Sequence, residues 1–116
     1  MPYPTWVCSG PNTRLSFARS TDRAIEENDL VQLTTGTKYM GYCGNMCRLF
    51  VIGKFPEKAK KLAEVALEAA NHVLQTIKRG INIPDLFNGY YKILSKYGYE
   101  NYTLYGLAHG TDSAEV

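Results

Sequence analysis

The clearest candidate for chemistry is a histidine in a glycine-rich setting, Gly106-Leu-Ala-His109-Gly110. An unperturbed histidine titrates at about 6.5, so His109 can act as a base or orient a substrate. The alternative is a hydrogen-bonded histidine without a chemical role. Asp112 and Glu115 follow closely and are candidate acids, although solvated carboxylates would give the same pattern. A second histidine, His72, lies in helical sequence and is interpreted as structural or solvent-facing.

A second group of chemically capable residues lies between positions 29 and 48. Arg48 could bind a substrate carboxylate through two parallel hydrogen bonds, and a structural salt bridge is the alternative. Cys43 and Cys47 are four residues apart in a strand pattern, so they should face the same side of a sheet. Zinc would need two further ligands at suitable spacing, which we do not find. Together with Cys8, they are interpreted as buried free thiols.

The elements that position these residues begin with strands. Residues 4–9 predict a short strand, and the polar residues 13–28 lack periodicity and predict a loop. Residues 30–35 and 39–52 predict an antiparallel hairpin with Gly36 near its turn. The end of the second strand is rich in β-forming residues and is predicted to be central in the sheet.

Two helices are predicted next. Pro56 is favourable in a first helical turn, and apolar residues then recur at three- and four-residue steps up to Gly80. This pattern predicts an amphipathic helix of about six turns. A second helix is predicted from about Pro84 to Gly98, and residues 101–107 predict a further strand.

Several motifs, taken in register, resemble the pita-bread family of creatinase, aminopeptidase P, prolidase and methionine aminopeptidase. They are the Ser9-Gly10-Pro11-Asn12 segment, two hairpin positions eleven residues apart, Ile77-Lys-Arg-Gly80, and Gly106 to Gly110. The resemblance implies an α+β fold: an incomplete pita-bread domain, in which an antiparallel sheet carries two helices on one face. It also implies that residues 1–116 are the first half of a longer domain with two pseudo-symmetric halves.

The same resemblance identifies the site residues. Thr34 and Asn45 stand where metal-dependent members of the family carry aspartates, and Phe17 stands where the family usually carries a histidine, the general base of creatinase. His109 matches a metal-ligand histidine, whereas Val116 replaces a second one. Two glutamate ligands would lie beyond residue 116. We therefore expect no metal and no other cofactor. His109 is the predicted catalytic residue, and Phe17, Thr34, Asn45 and Arg48 are the candidate pocket residues.

Two functions remain open from the sequence. The first is a fragment of an Xaa-Pro aminopeptidase, prolidase or creatinase-like hydrolase, metal-free and inactive as the isolated chain, whose parent cleaves a C–N bond in a peptide or small amino-acid derivative. The alternative is a pseudoenzyme or peptide- or partner-binding module on the same fold. A half-domain leaves a strand edge uncovered, which predicts self-association.

Composition excludes several partners. The formal net charge is +2, and no basic run is interleaved with aromatic residues, which argues against nucleic acid. No apolar run approaches the roughly 20 residues that a membrane helix needs. The chain is therefore expected to be cytoplasmic.

Overall fold

A computed structural model describes residues 4–15, 18–103 and 107–110, and the chain divides into two compact units. The first unit, Met1–Phe55 with His109–Val116, is built on strands, and the second unit, Pro56–Ala108, is built on helices. The strands are β1 (Trp6–Ser9), β2 (Leu30–Tyr39) and β3 (Tyr42–Val51), and the helices are α1 (Glu57–Thr76) and α2 (Ile83–Lys96). Short 3-10 helices occupy Gly10–Arg14 and Glu100–Tyr102.

The three strands form an antiparallel sheet in the order β1-β2-β3. The β2–β3 hairpin turns at Met40 and Gly41, whose φ angles of 48° and 93° are both positive. Two such residues between paired strands define a type I′ turn, whose twist matches that of the strands. The prediction of a turn near Gly36 was therefore wrong. Gly36 lies within β2, opposite Asn45.

The prediction of a central position for residues 48–52 was also wrong within the described sheet. The central strand is β2, because β1 pairs with one of its edges and β3 with the other. Apolar side chains at the end of β3 are exposed, among them Leu49 (45%) and Phe50 (48%). Strand-forming composition reports on the pleated conformation and does not identify the neighbours of a strand.

The helical unit agrees with the sequence pattern. Pro56 is the N-cap of α1, and the predicted apolar positions Val65 and Ala69 are 1% and 0% exposed. They form a core with Leu94 of α2, against which partly buried residues pack: Tyr90, Ile93, Tyr97 and Tyr99. The two predicted helices and the α+β class are confirmed.

The strand predicted for residues 101–107 is not formed where the structure describes it. Glu100–Tyr102 is a 3-10 helix, because the Tyr99 amide donates to the Leu94 carbonyl and the Tyr102 amide to the Tyr99 carbonyl, so the chain keeps turning after α2. Residues 104–106 lie outside the described part. In the described ranges, no helix is both long and apolar enough to cross a membrane.

Candidate functional site

The β2–β3 hairpin places Thr34 and Asn45 on one face of the sheet. Thr34 is paired with Cys47, and Gly36 with Asn45. Cross-strand partners share a face, as do residues two apart in a strand, so Thr34, Cys47 and Asn45 point to the same side. Thr34 is buried at 9% exposure, whereas Asn45 is exposed. Gly36, which has no side chain, is the cross-strand partner of Asn45.

A short chain of hydrogen bonds runs across this face. The Gln32 amide donates to the Thr34 hydroxyl oxygen at 3.5 Å, and that hydroxyl donates to the Cys47 sulfur at 3.4 Å. All three groups are neutral in their ordinary forms. The face therefore offers a hydroxyl, a thiol and amides, and neither hairpin position carries a carboxylate.

The three cysteines are free thiols that share this face, because Cys8 of β1 is paired with Gln32. Cys8 is buried, and its thiol lies 3.6 Å from the Ala18 carbonyl oxygen, to which it donates. Burial, and to a smaller degree the nearby Cys47, raises the pKa of Cys8. Cys47 is exposed and Cys43 partly so, which corrects the expectation that all three are buried.

The other predicted site residues have different surroundings. Arg48 is paired with Leu33 and so lies on the opposite face from Thr34 and Asn45, where its guanidinium donates to the Cys47 carbonyl at 2.8 Å. His109 is exposed, and its Nδ1 lies 3.0 Å from the Gly110 carbonyl oxygen. Phe17, and the candidate acids at positions 112 and 115, lie outside the described residues. Of the predicted pocket, the hairpin therefore groups Thr34 with Asn45 on one face and separates Arg48 from them.

An ion pair that the sequence interpretation missed organises the entry to the sheet. Arg23 holds Asp29 through both guanidinium nitrogens, with distances of 2.5 Å (Nη1–Oδ2) and 3.2 Å (Nη2–Oδ1). Arg23 also donates to the Ser9 hydroxyl at 2.9 Å, and the Glu26 amide donates to Asp29 at 2.8 Å. These hydrogen bonds, that from Arg23 foremost, lower the pKa of Asp29. The loop before β2 is thereby fastened to the end of β1.

Gly10 explains why the Ser9-Gly10 pair suits this network. Its φ is +54°, and a Cβ at this position would lie 2.6 Å from the Asp29 carboxylate and 2.9 Å from the Arg23 guanidinium. Glycine therefore provides both the left-handed backbone and the space for the ion pair. The sequence held a weak signal in the opposite charges of Arg23 and Asp29, but nothing in the aperiodic loop assigned Ser9 as their partner.

The residues on the hairpin face do not fit a two-metal hydrolytic centre. Such a centre bridges its cations with carboxylates, which offset the charge and help to create hydroxide. Thr34 uses its proton on the Cys47 sulfur, and Asn45 is a neutral amide. Within residues 4–15, 18–103 and 107–110, no three His, Cys, Asp or Glu side chains are placed to hold a metal ion.

Comparison with solved structures defines the class of protein. The chain superposes on prolidase from Pyrococcus furiosus with a TM-score of 0.89 and 30% sequence identity, over 96% of this chain and 33% of that one. It superposes on aminopeptidase P from Escherichia coli with a TM-score of 0.74 and 26% identity, over 82% of this chain and 22% of that one. The incomplete pita-bread fold predicted from the sequence is confirmed.

Sequence comparison gives the family. The model for metallopeptidase family M24 matches residues 1–116, and the chain belongs to this family. Among curated relatives, an Xaa-Pro dipeptidase from Pyrococcus horikoshii is 32% identical over 108 residues, which is 93% of this chain. The chain spans 31% of the length of that relative. It is thus similar to a fragment of an M24 peptidase domain.

Proposed function

We propose that this chain carries the hairpin of an M24 peptidase domain in a metal-free form and does not hydrolyse Xaa-Pro peptides by itself. The hydrogen bond from Thr34 to Cys47 is the observation that supports this most directly. A metal ligand at this position would present lone pairs and negative charge to a cation. Instead, a neutral hydroxyl is oriented toward sulfur.

Electrostatics supports the same proposal. Two divalent cations bound close together repel each other strongly unless anionic ligands lie between and around them. At the two hairpin positions, Thr34 and Asn45 offer neutral oxygen atoms in place of carboxylates. We propose His109, whose imidazole is exposed, as the base if the parent protein is a hydrolase.

The substrate class follows from the relatives. Proteins named prolidase, Xaa-Pro dipeptidase and aminopeptidase P share this fold over most of the chain. We propose that the substrate of the parent protein is a small peptide or amino-acid derivative with a scissile C–N bond. The parent would hydrolyse this bond without a metal, as creatinase does.

The test measures the metal content of the chain and of a variant designed to bind metal. The purified chain is incubated with manganese, cobalt or zinc, dialysed and analysed by mass spectrometry for bound metal. We expect no stoichiometric metal. The double variant Thr34→Asp/Asn45→Asp restores two carboxylates to one face and should gain weak manganese or cobalt binding.

The matched control places the same charges on the opposite face. Thr35 is paired with Met46, so Thr35→Asp/Met46→Asp adds two carboxylates without facing Thr34. We expect no gain of metal in this variant. Stoichiometric metal in the unmodified chain, or turnover of a proline dipeptide or creatine by it, would overturn the proposal.

A second candidate is a binding module without catalysis. It is favoured by the exposed Asn45, which stands across from Gly36 on a face that lacks carboxylates at the hairpin positions. Titration of the chain with a proline dipeptide, followed by amide chemical shifts, should then perturb residues around Asn45. Asn45→Ala should abolish these shifts, and Asn71→Ala, an exposed position on α1, should leave them unchanged. An absence of shifts at millimolar peptide would refute this candidate.

A further inference from the structure

An open cavity lies beside β1, away from the hairpin turn. Its volume is about 450 Å³, and it is lined by Pro4, Thr5, Trp6, Arg19 and Ser20. This volume falls within the range of small-ligand sites, roughly 300–1,000 Å³. Among these five described residues, Arg19 alone is charged. The cavity therefore combines a guanidinium, two hydroxyl groups and apolar walls.

The two neighbours of Arg19 hold it in place along β1. The Ser20 hydroxyl accepts a hydrogen bond from the Val7 amide at 2.9 Å, and the Ala18 carbonyl accepts one from the Cys8 thiol at 3.6 Å. The segment therefore runs along the strand, with Arg19 between two anchored residues. Arg19 itself is exposed, so a ligand that enters from solvent can reach its guanidinium.

The walls of the cavity are held in place as well. The hydroxyl oxygens of Thr5 and Thr35 are 3.0 Å apart and share a hydrogen bond, which fastens the residue before β1 to β2. Pro4 has a fixed φ angle and so has little backbone freedom to lose. A site whose walls are ordered before binding spends less free energy on ordering when a ligand arrives.

The strong ion pairs of the same loop are formed by another arginine. Arg23 binds Asp29 through both guanidinium nitrogens and Glu26 at 3.1 Å. The loop residues Asp22 and Glu27 are exposed, and solvent and salt screen their charges. A carboxylate brought by a ligand is therefore the group that complements the guanidinium in the cavity.

The cavity adjoins the candidate site across one strand pair. Trp6, which forms part of its wall, is paired with Thr34. Residues directly opposite each other in an antiparallel pair have side chains on the same face, with Cβ atoms about 4.5–5.5 Å apart. A ligand that contacts the wall at Trp6 is thus one residue pair away from Thr34.

We propose that this cavity is a subsite for the carboxylate of a small peptide. The Arg19 guanidinium donates two parallel hydrogen bonds to the carboxylate oxygens, an arrangement that fits the planar shape of both groups. The Ser20 hydroxyl accepts from Val7 and still carries a proton that it can donate to the same carboxylate. The peptide then extends past Trp6 toward Thr34. The choice of a peptide rests on the proposed function, whereas the choice of a carboxylate rests on the charge of Arg19.

The first test uses the fluorescence of Trp6, which is the one tryptophan of the chain and reports on this cavity. Glycyl-leucine and its C-terminal amide have the same backbone and side chain and differ in the carboxylate. We expect the acid to change the fluorescence in a saturable way at millimolar concentration. The amide should bind about tenfold more weakly, because it cannot form the charged hydrogen bonds. This difference should shrink as salt is added.

The second test changes the charge in the cavity. Arg19→Gln should weaken the binding of glycyl-leucine about tenfold and leave that of the amide unchanged. Arg19→Lys keeps the charge but loses the planar fork, so its affinity should fall between the two. Arg14→Gln is the matched control, because Arg14 is an exposed arginine outside the cavity lining, and it should bind like the parent chain. Circular dichroism verifies that the variants fold.

Several results would overturn the proposal. They are an equal response to the acid and the amide, equal affinities of Arg19→Gln and Arg14→Gln, and an equal response to inorganic phosphate, which would indicate a general anion effect. An absence of any response would mean that the cavity does not take a peptide in this chain, and would also overturn it. Stoichiometric metal together with binding that depends on Arg19 would overturn the proposed function and leave this subsite standing, so the two failures are distinguishable.

Discussion

Arg23 and Asp29 form a two-point ion pair, with Nη1 2.5 Å from Oδ2 and Nη2 3.2 Å from Oδ1. Their side chains are 27% and 11% exposed, so the pair is largely shielded from solvent. The Ser9 hydroxyl accepts a further hydrogen bond from Arg23. The pair therefore ties together the end of β1 and the start of β2, the strand that carries Thr34.

The first prediction concerns acid stability. The pKa of Asp29 is lowered in the folded chain by Arg23 and by the Glu26 amide, relative to an ordinary value of about 3.9. The ionised Asp29 carboxylate therefore makes its full contribution to the stability of the fold at pH values above the ordinary pKa. This contribution is lost as the pH falls through the lower pKa of the folded chain. We expect Asp29→Asn to lower the melting temperature by several degrees near neutrality. This difference should shrink toward about pH 2.

Thermal melts followed by circular dichroism between about pH 7 and about pH 2 measure this effect. Asp22→Asn, which changes an exposed carboxylate in the same loop, is the control and should follow the parent curve. If the melting temperature of Asp29→Asn stays below that of the parent chain by the same amount at every pH, the ion pair is not the origin of the difference.

Gly10 gives the second prediction. Gly10→Ala should cost about 1–3 kcal/mol, because the new Cβ meets Asp29 and the backbone is left-handed. Gly80→Ala has a similarly positive φ of +81°, but open space around its Cβ, so it reports the backbone strain alone. Chemical denaturation should rank Gly10→Ala as the more destabilising change. Equal losses would mean that the ion pair moves aside without penalty.

The contact between His72 and Gly89 gives the third prediction. A Cβ at Gly89 would overlap the imidazole of His72, so the two helices approach closely at this point. Alanine is otherwise the better helix former by roughly 1 kcal/mol. We expect Gly89→Ala to destabilise the parent chain but to stabilise the His72→Ala variant. A double-mutant cycle by denaturant unfolding measures this change of sign, and additive effects would argue against the contact.

Met40 gives the fourth prediction. Its φ of 48° lies in the left-handed region, where asparagine is far better tolerated, and its side chain is 82% exposed. Met40→Asn should therefore stabilise the hairpin by about 0.5–1 kcal/mol. Met46→Asn, within β3, should give no such gain. The midpoint of denaturant unfolding compares the two variants, and a loss of stability in Met40→Asn would contradict the type I′ turn.

The sequence by itself determined the three strands of the sheet, the two helices and the family, because these depend on local periodicity and on motifs in register, whereas the strand predicted for residues 101–107 was wrong where the structure describes it. The helical core at Val65 and Ala69 followed from three- and four-residue spacing. That Thr34 and Asn45 share a face was implied by the family resemblance and is shown by the pairing register.

Only the tertiary structure decided which strand is central, where the hairpin turns and which loop residues hold the sheet. The turn depended on positive φ at Met40, a residue type that rarely adopts it. The link from Arg23 to Ser9 joins positions fourteen residues apart through an aperiodic loop. Contacts of this kind are set by the path of the chain in space, and no local pattern of residues encodes them.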